Sequence, residues 1–112
     1  MGLRAVSETA IWDLVNDATN RMTKPQRRLW EVIRIAPEKW QEETQGNARG
    51  GFWAVAVIGH SVIWYNDNEY GFNRSNYSRH GVIEGYWSNQ NDLEQTVQEV
   101  MNVIDTGIEI WS

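Results

Sequence analysis

The chain contains no cysteine. That excludes thiol catalysis, cysteine-ligated zinc and iron–sulfur clusters, and it favours a reducing compartment over secretion as a small disulfide-stapled scaffold. The expected location is cytoplasmic. No apolar run approaches the roughly 18 residues that span a bilayer, and "MGLRAVSETA" lacks the basic-then-apolar pattern of a signal peptide, so no membrane partner is expected. Basic residues are also short in number: ten Lys and Arg face fifteen Asp and Glu, a formal charge of -5. This balance repels phosphate backbones and favours encounter with a cationic surface, so no nucleic-acid partner is expected. The local exception is "RMTKPQRR", where Arg21, Lys24, Arg27 and Arg28 gather. On an amphipathic helix such a cluster is ordinarily the solvated face.

What is present is aromatic area. Seven Trp, four Tyr and two Phe in 112 residues let one small core form without disulfides, and the reading is a single domain over residues 1–112. Trp12, Trp30 and Trp40 lie in elements that need core-filling side chains. A surplus among Trp53, Trp64, Trp87 and Trp111 implies a groove, an interface or a homodimer.

Ser7 with Glu8, ahead of Ile11, Leu14, Val15 and Ala18, predicts a capped amphipathic helix to about Arg21. Thr23 and Gln26 around Pro25 mark the start of a second, short helix. "LWEVIRI" mixes β-branched residues with alternating charge and leads to Pro37, so a strand is expected over Glu31 to Ala36, with continued helix as the alternative. Glu38 to Gly51 is polar and Gly-rich, a loop with Trp40 as its anchor. The sharpest local signal is "GFWAVAVIGHSVIWYND", two β-rich runs joined by Gly59-His60, which suits a type II′ hairpin turn.

Counting outward from that turn pairs Ile58 with Ser61, Val57 with Val62, Ala56 with Ile63, Val55 with Trp64 and Ala54 with Tyr65. Both faces are then apolar: a low face at Ala54 and Ala56 for helices, and a face of Trp53, Val55, Val57, Val62 and Trp64 that also needs cover. The expected cover is the Glu38 to Gly51 loop, the tail "GIEIWS" or a twin subunit. "YGFNRSNYS" and "GVIEGYW" read as two further strands, and "SNQNDLEQTVQEVMNVI" places Leu93, Val97, Val100, Met101 and Ile104 at helical spacing. The sum is an α+β fold: two N-terminal helices, an antiparallel meander sheet of four to five strands, and a C-terminal helix packed on one sheet face.

The chemistry-bearing stretch is "WYNDNEYGFNRSNYSRHG". Asn66, Asn68 and Gly71 fall at the first, third and sixth places of a calcium loop, but the fifth is Tyr70 and the twelfth is Tyr77, so the closing acid is missing. Asp67 and Glu69 are a candidate carboxylate pair for hydrolytic acid–base work with a histidine, the enzymatic alternative. His60 and His80 each sit beside a glycine at an expected turn, and nothing in their spacing makes a metal set. No metal or cofactor is expected. The favoured reading is recognition: Asp67, Glu69, Tyr70 and Phe72 on an exposed hairpin end, with Trp53 and Trp64 as further contact residues for a basic protein partner.

At "GGFWAVAVIG", "VIWYNDNEYGFNRSNY" and "YWSNQNDLEQTV" the chain resembles a group of small single-domain bacterial proteins of the type that includes immunity proteins of toxin systems. The resemblance implies a non-enzymatic binding role in which an acidic protein masks the surface of a basic toxin. It carries over no catalytic residues. A homodimeric structural subunit is the third reading.

Overall fold

The computed structural model describes residues 6–45 and 50–106. The first helix, α1 (Glu8–Arg21), starts where the Ser7 hydroxyl accepts the Ala10 N–H at 3.1 Å. Its 3.6-residue period puts Ile11, Val15 and Ala18 on one buried stripe. The second, α2 (Lys24–Ile33), opens on a reciprocal cap. Thr23 Oγ1 accepts the Gln26 N–H, and Gln26 Oε1 accepts the Thr23 N–H, which satisfies two donors of the first turn.

The strand expected over Glu31 to Ala36 is displaced. The helix runs on to Ile33, and β1 occupies Arg34–Trp40. Trp30 and Ile33, three apart on one helical face, are both buried, whereas strand geometry would have turned them to opposite faces. Pro37 is tolerated in β1 because that strand is an edge and the proline sits in an irregularity. Between Arg34↔Ala56 and Glu38↔Ala54, three residues of β1 oppose the single Val55. The loop expected from Glu38 therefore begins only after Trp40, which anchors it with no exposure at all.

The remaining strands are β2 (Phe52–Ile58), β3 (Ser61–Asn66) and β4 (Gly71–Asn76), in spatial order β1-β2-β3-β4 with every pair antiparallel. This is the expected meander, with four strands. Gly59 has φ of +57° and His60 has no positive φ, as a type II′ turn requires.

Near that turn the pairs Ile58↔Ser61, Val57↔Val62 and Ala56↔Ile63 stand as counted, but a bulge at Val55 shifts the remaining pairs to Ala54↔Trp64 and Trp53↔Tyr65. One extra residue reverses the face of everything before it. Trp53 thus joins the helix side, where its indole N–H donates to the Val6 carbonyl at 2.6 Å and Lys39 Nζ lies 4.8 Å from its ring centre. Ala54 moves to the face of Trp64.

The last helix, α3 (Leu93–Thr106), buries Leu93, Thr96, Val97 and Val100 and packs with α1 and α2 on one face of the sheet, the expected α+β arrangement. That core gathers Ile11, Val15, Trp30, Ile33, Ile63, Phe72, Val97 and Val100. A second core on the opposite face holds Trp40, Phe52, Ala54, Val62, Trp64 and Ile83.

Among the described residues, this second face is covered by the segment from Tyr77 to Asp92. Ile83 plugs it, with Tyr77 and Tyr86 packed alongside. The strand expected at "GVIEGYW" does not form. Gly81 and Gly85 both have φ of +95°, outside extended geometry, so the segment crosses the face and its strand-like pairing is confined to isolated bridges, Gln41↔Val82, Asn76↔Glu84 and Phe72↔Asn91. It comes so close that a Cβ on Gly71 would stand 2.3 Å from Gln90 Cα. The tail "GIEIWS" and Trp111 lie outside the described residues. Among the described residues no helix is long and apolar enough to cross a membrane.

Candidate functional site

The stretch from Trp64 to Gly81 is largely framework. In the β3–β4 turn Asn66 organises the chain: its carbonyl accepts the Glu69 N–H at 3.2 Å, and its side-chain oxygen accepts the Asn68 N–H at 3.0 Å. Its amide nitrogen donates outward, to Tyr86 Oη at 2.9 Å and to the Trp87 carbonyl at 2.8 Å. Asn73 likewise brackets Asn89, donating to its carbonyl at 3.1 Å and accepting its N–H at 2.9 Å. Ser75 accepts from the Trp64 indole at 2.9 Å and donates to the Gly85 carbonyl at 2.7 Å. These three side chains fasten the covering segment to the sheet.

The expected recognition residues separate accordingly. Asp67 is 2% exposed, with its Oδ2 accepting the Val6 N–H at 2.9 Å. It holds the chain ahead of α1 against the turn. Phe72 is 4% exposed and packs against Tyr65 at 4.9 Å between ring centres, the rings tilted by 56°. Trp64 is fully buried, and Trp53 is half-buried. The exposed placement expected of Asp67 and Phe72 is thus corrected: one is spent on a backbone donor and the other on the helix-side core. Burial pushes the Tyr65 phenol up from its ordinary range, and the carboxylate of Asp67 adds to the shift.

Among the described residues two aromatics are exposed, Tyr70 at 68% and Trp87 at 53%. Tyr70 closes the turn with φ of +58°, a left-handed conformation uncommon for a residue with a side chain. Glu69 precedes it, half-buried. The Asn66 amide ties the Trp87 backbone to the start of this same turn, so both exposed rings belong to one hydrogen-bonded unit. In the sequence Trp87 stands out as one of the surplus tryptophans, but Asn73 and Ser75 suggest no role, and Asn66 figures only in the incomplete calcium pattern. Their signal was polarity at positions where strand alternation points inward.

Asp67, Glu69 and a histidine are not brought together. His60 sits at the other end of β3, roughly 20 Å away at about 3.3 Å per residue, and His80 Nε2 lies 2.5 Å from Glu38 Oε1 at the edge strand. Among the described residues no three His, Asp or Glu side chains are grouped to hold a metal ion. In the basic cluster, Arg21 pairs with Glu94 at 2.6 Å and Arg27 donates to the Thr19 carbonyl at 2.9 Å. Lys24 and Arg28 extend along the exposed side of α2.

No protein-family model matches the chain, and no curated protein or solved structure matches it.

Proposed function

We propose that this chain is a non-enzymatic protein-binding domain that masks a basic protein partner, in the manner of an immunity protein against a basic toxin. One observation carries the reading: Tyr70 and Trp87 stand exposed on a unit fastened by Asn66, in a chain that buries Trp30, Trp40 and Trp64. Rigid aromatics lose little conformational entropy on contact. A formal charge of -5 draws a cationic surface toward them.

The test uses the product of the adjacent gene as candidate partner and measures association rate against ionic strength. Replacing Glu69 by Lys and Tyr70 by Ala together should slow association about tenfold at low salt and flatten its salt dependence. Folding stability should stay within about 0.5 kcal/mol of wild type, since both side chains lie away from the core. Equal rates and equal salt slopes would remove the turn from the binding surface, and a basic neighbour that leaves the wild-type chain unbound would sink the proposal.

A further inference from the structure

Beside Trp87, between the end of β4 and the crossing segment, lies a recess of about 220 Å³ lined by Arg74, Ser75, Asn76, Glu84, Gly85 and Trp87. Its walls are held from behind. Glu84 N–H donates to the Asn76 carbonyl at 2.9 Å, and Ser75 Oγ donates to the Gly85 carbonyl at 2.7 Å. The recess is therefore a formed feature of the junction between sheet and segment, with an aromatic ring and an exposed carboxylate at its mouth. Gly85 lies against the ring: a Cβ there would meet the Trp87 indole nitrogen at 3.8 Å, an ordinary contact.

We propose that this recess receives an arginine side chain of a basic protein partner, an inference that rests on the binding reading above and gives it a specific contact. Trp87 offers a half-exposed indole, the ring on which a guanidinium stacks most favourably. Glu84 offers the acceptor: Ser78 donates to its Oε2 from both backbone N–H and hydroxyl, which fixes the carboxylate through one oxygen and leaves the other to accept from a guest. Arginine suits the pair better than lysine, because a planar guanidinium stacks and donates within one plane, whereas an ammonium is a compact, strongly hydrated charge. Arg74, the cation in the lining, is drawn toward the sheet. Its Nη1 reaches Ser61 Oγ at 3.4 Å, and the residue pairs across the strands with Ile63, on the helix side.

The test needs no partner. N-acetyl-arginine N-methylamide is titrated into the full chain while the Trp87 indole N–H signal is followed by NMR, with the citrulline and lysine analogues as controls. Arginine should move the indole signal in a saturable way, citrulline should bind at least about fivefold more weakly and lysine should fall between them. Glu84→Gln, which keeps an oxygen for Ser78, should weaken arginine about fivefold, and Trp87→Phe, which keeps a ring and is followed through the Gly85 backbone amide because the indole signal is lost, should weaken it about twofold. No saturable shift, or citrulline binding as tightly as arginine, would overturn the inference. The outcome is separable from that of the parent reading. Should arginine leave the indole signal unmoved while the Glu69 and Tyr70 changes still slow partner association, the recess falls and the binding role stands. A saturating indole shift with partner association insensitive to Glu69 and Tyr70 leaves the recess standing and removes the turn.

Discussion

The two faces of the sheet are covered by different means. On one, α1, α2 and α3 satisfy their own backbone groups and present apolar stripes, so cover is a matter of packing Ile11, Val15, Trp30, Val97 and Val100 against the strands. On the other, an irregular segment cannot satisfy its own N–H and C=O groups, and an unpaired buried group costs about as much as a lost hydrogen bond. The sheet supplies the partners: Asn66 for the Trp87 carbonyl, Asn73 for Asn89 and Ser75 for Gly85. A loop-like run of amides can therefore be the fastening of a cover. Its chemistry looks catalytic because both tasks call for oriented donors and acceptors.

The largest effect that would separate the faces is expected from Trp64→Ala. It removes the central ring of the second core, which lies 4.7 Å from Phe52 between ring centres, and the indole donor to Ser75. Urea unfolding should show a loss of about 3–5 kcal/mol, against roughly 2 for Val97→Ala in the helix-side core. Equal losses would mean that the two faces do not differ in how strongly they depend on one side chain.

Asn73→Ala sharpens the contrast. It leaves the Asn89 N–H and carbonyl without their side-chain partner, at a cost of about 1–3 kcal/mol. Amide exchange should rise over residues 85–91 while protection in α1 and α3 falls only by the global change. Uniform loss of protection would show that the segment is not held locally by its amides.

The smallest effect lies on the helix side, at the pair between Arg21 of α1 and Glu94 of α3. The hydrogen bond from Arg21 holds the Glu94 carboxyl below the usual carboxylate range, against a partial desolvation that acts the other way. A lowered folded-state pKa contributes stability that is present above the unfolded value and lost as pH falls through the folded one. Arg21→Ala should return the Glu94 carboxyl upward in an NMR titration and flatten the acid-side slope of thermal stability. Because the Arg21 side chain is half-exposed, the change in melting temperature at neutral pH should be slight. An unmoved Glu94 titration would place the cause of its shift elsewhere.

By itself, the sequence determined whatever depends on neighbours along the chain. The Ser7 and Thr23 caps, the type II′ turn at Gly59-His60, the apolar period from Leu93 to Val100 and the α+β order all follow from short-range sterics and spacing. Tertiary structure decided the rest, because it turned on contacts between residues remote in sequence. Trp53 changed face because a bulge at Val55 gave its indole the Val6 carbonyl, 47 positions away. Asp67 and Phe72 were buried by Val6 and Tyr65, not left on a hairpin tip. Residues 77–92 became a cover, not a strand, because Gly81 and Gly85 bend out of extended geometry and Asn66, Asn73 and Ser75 await them on the sheet. An amide in a sequence carries no mark of which distant backbone group it will meet, and that meeting decides whether it serves solvent, a ligand or the fold.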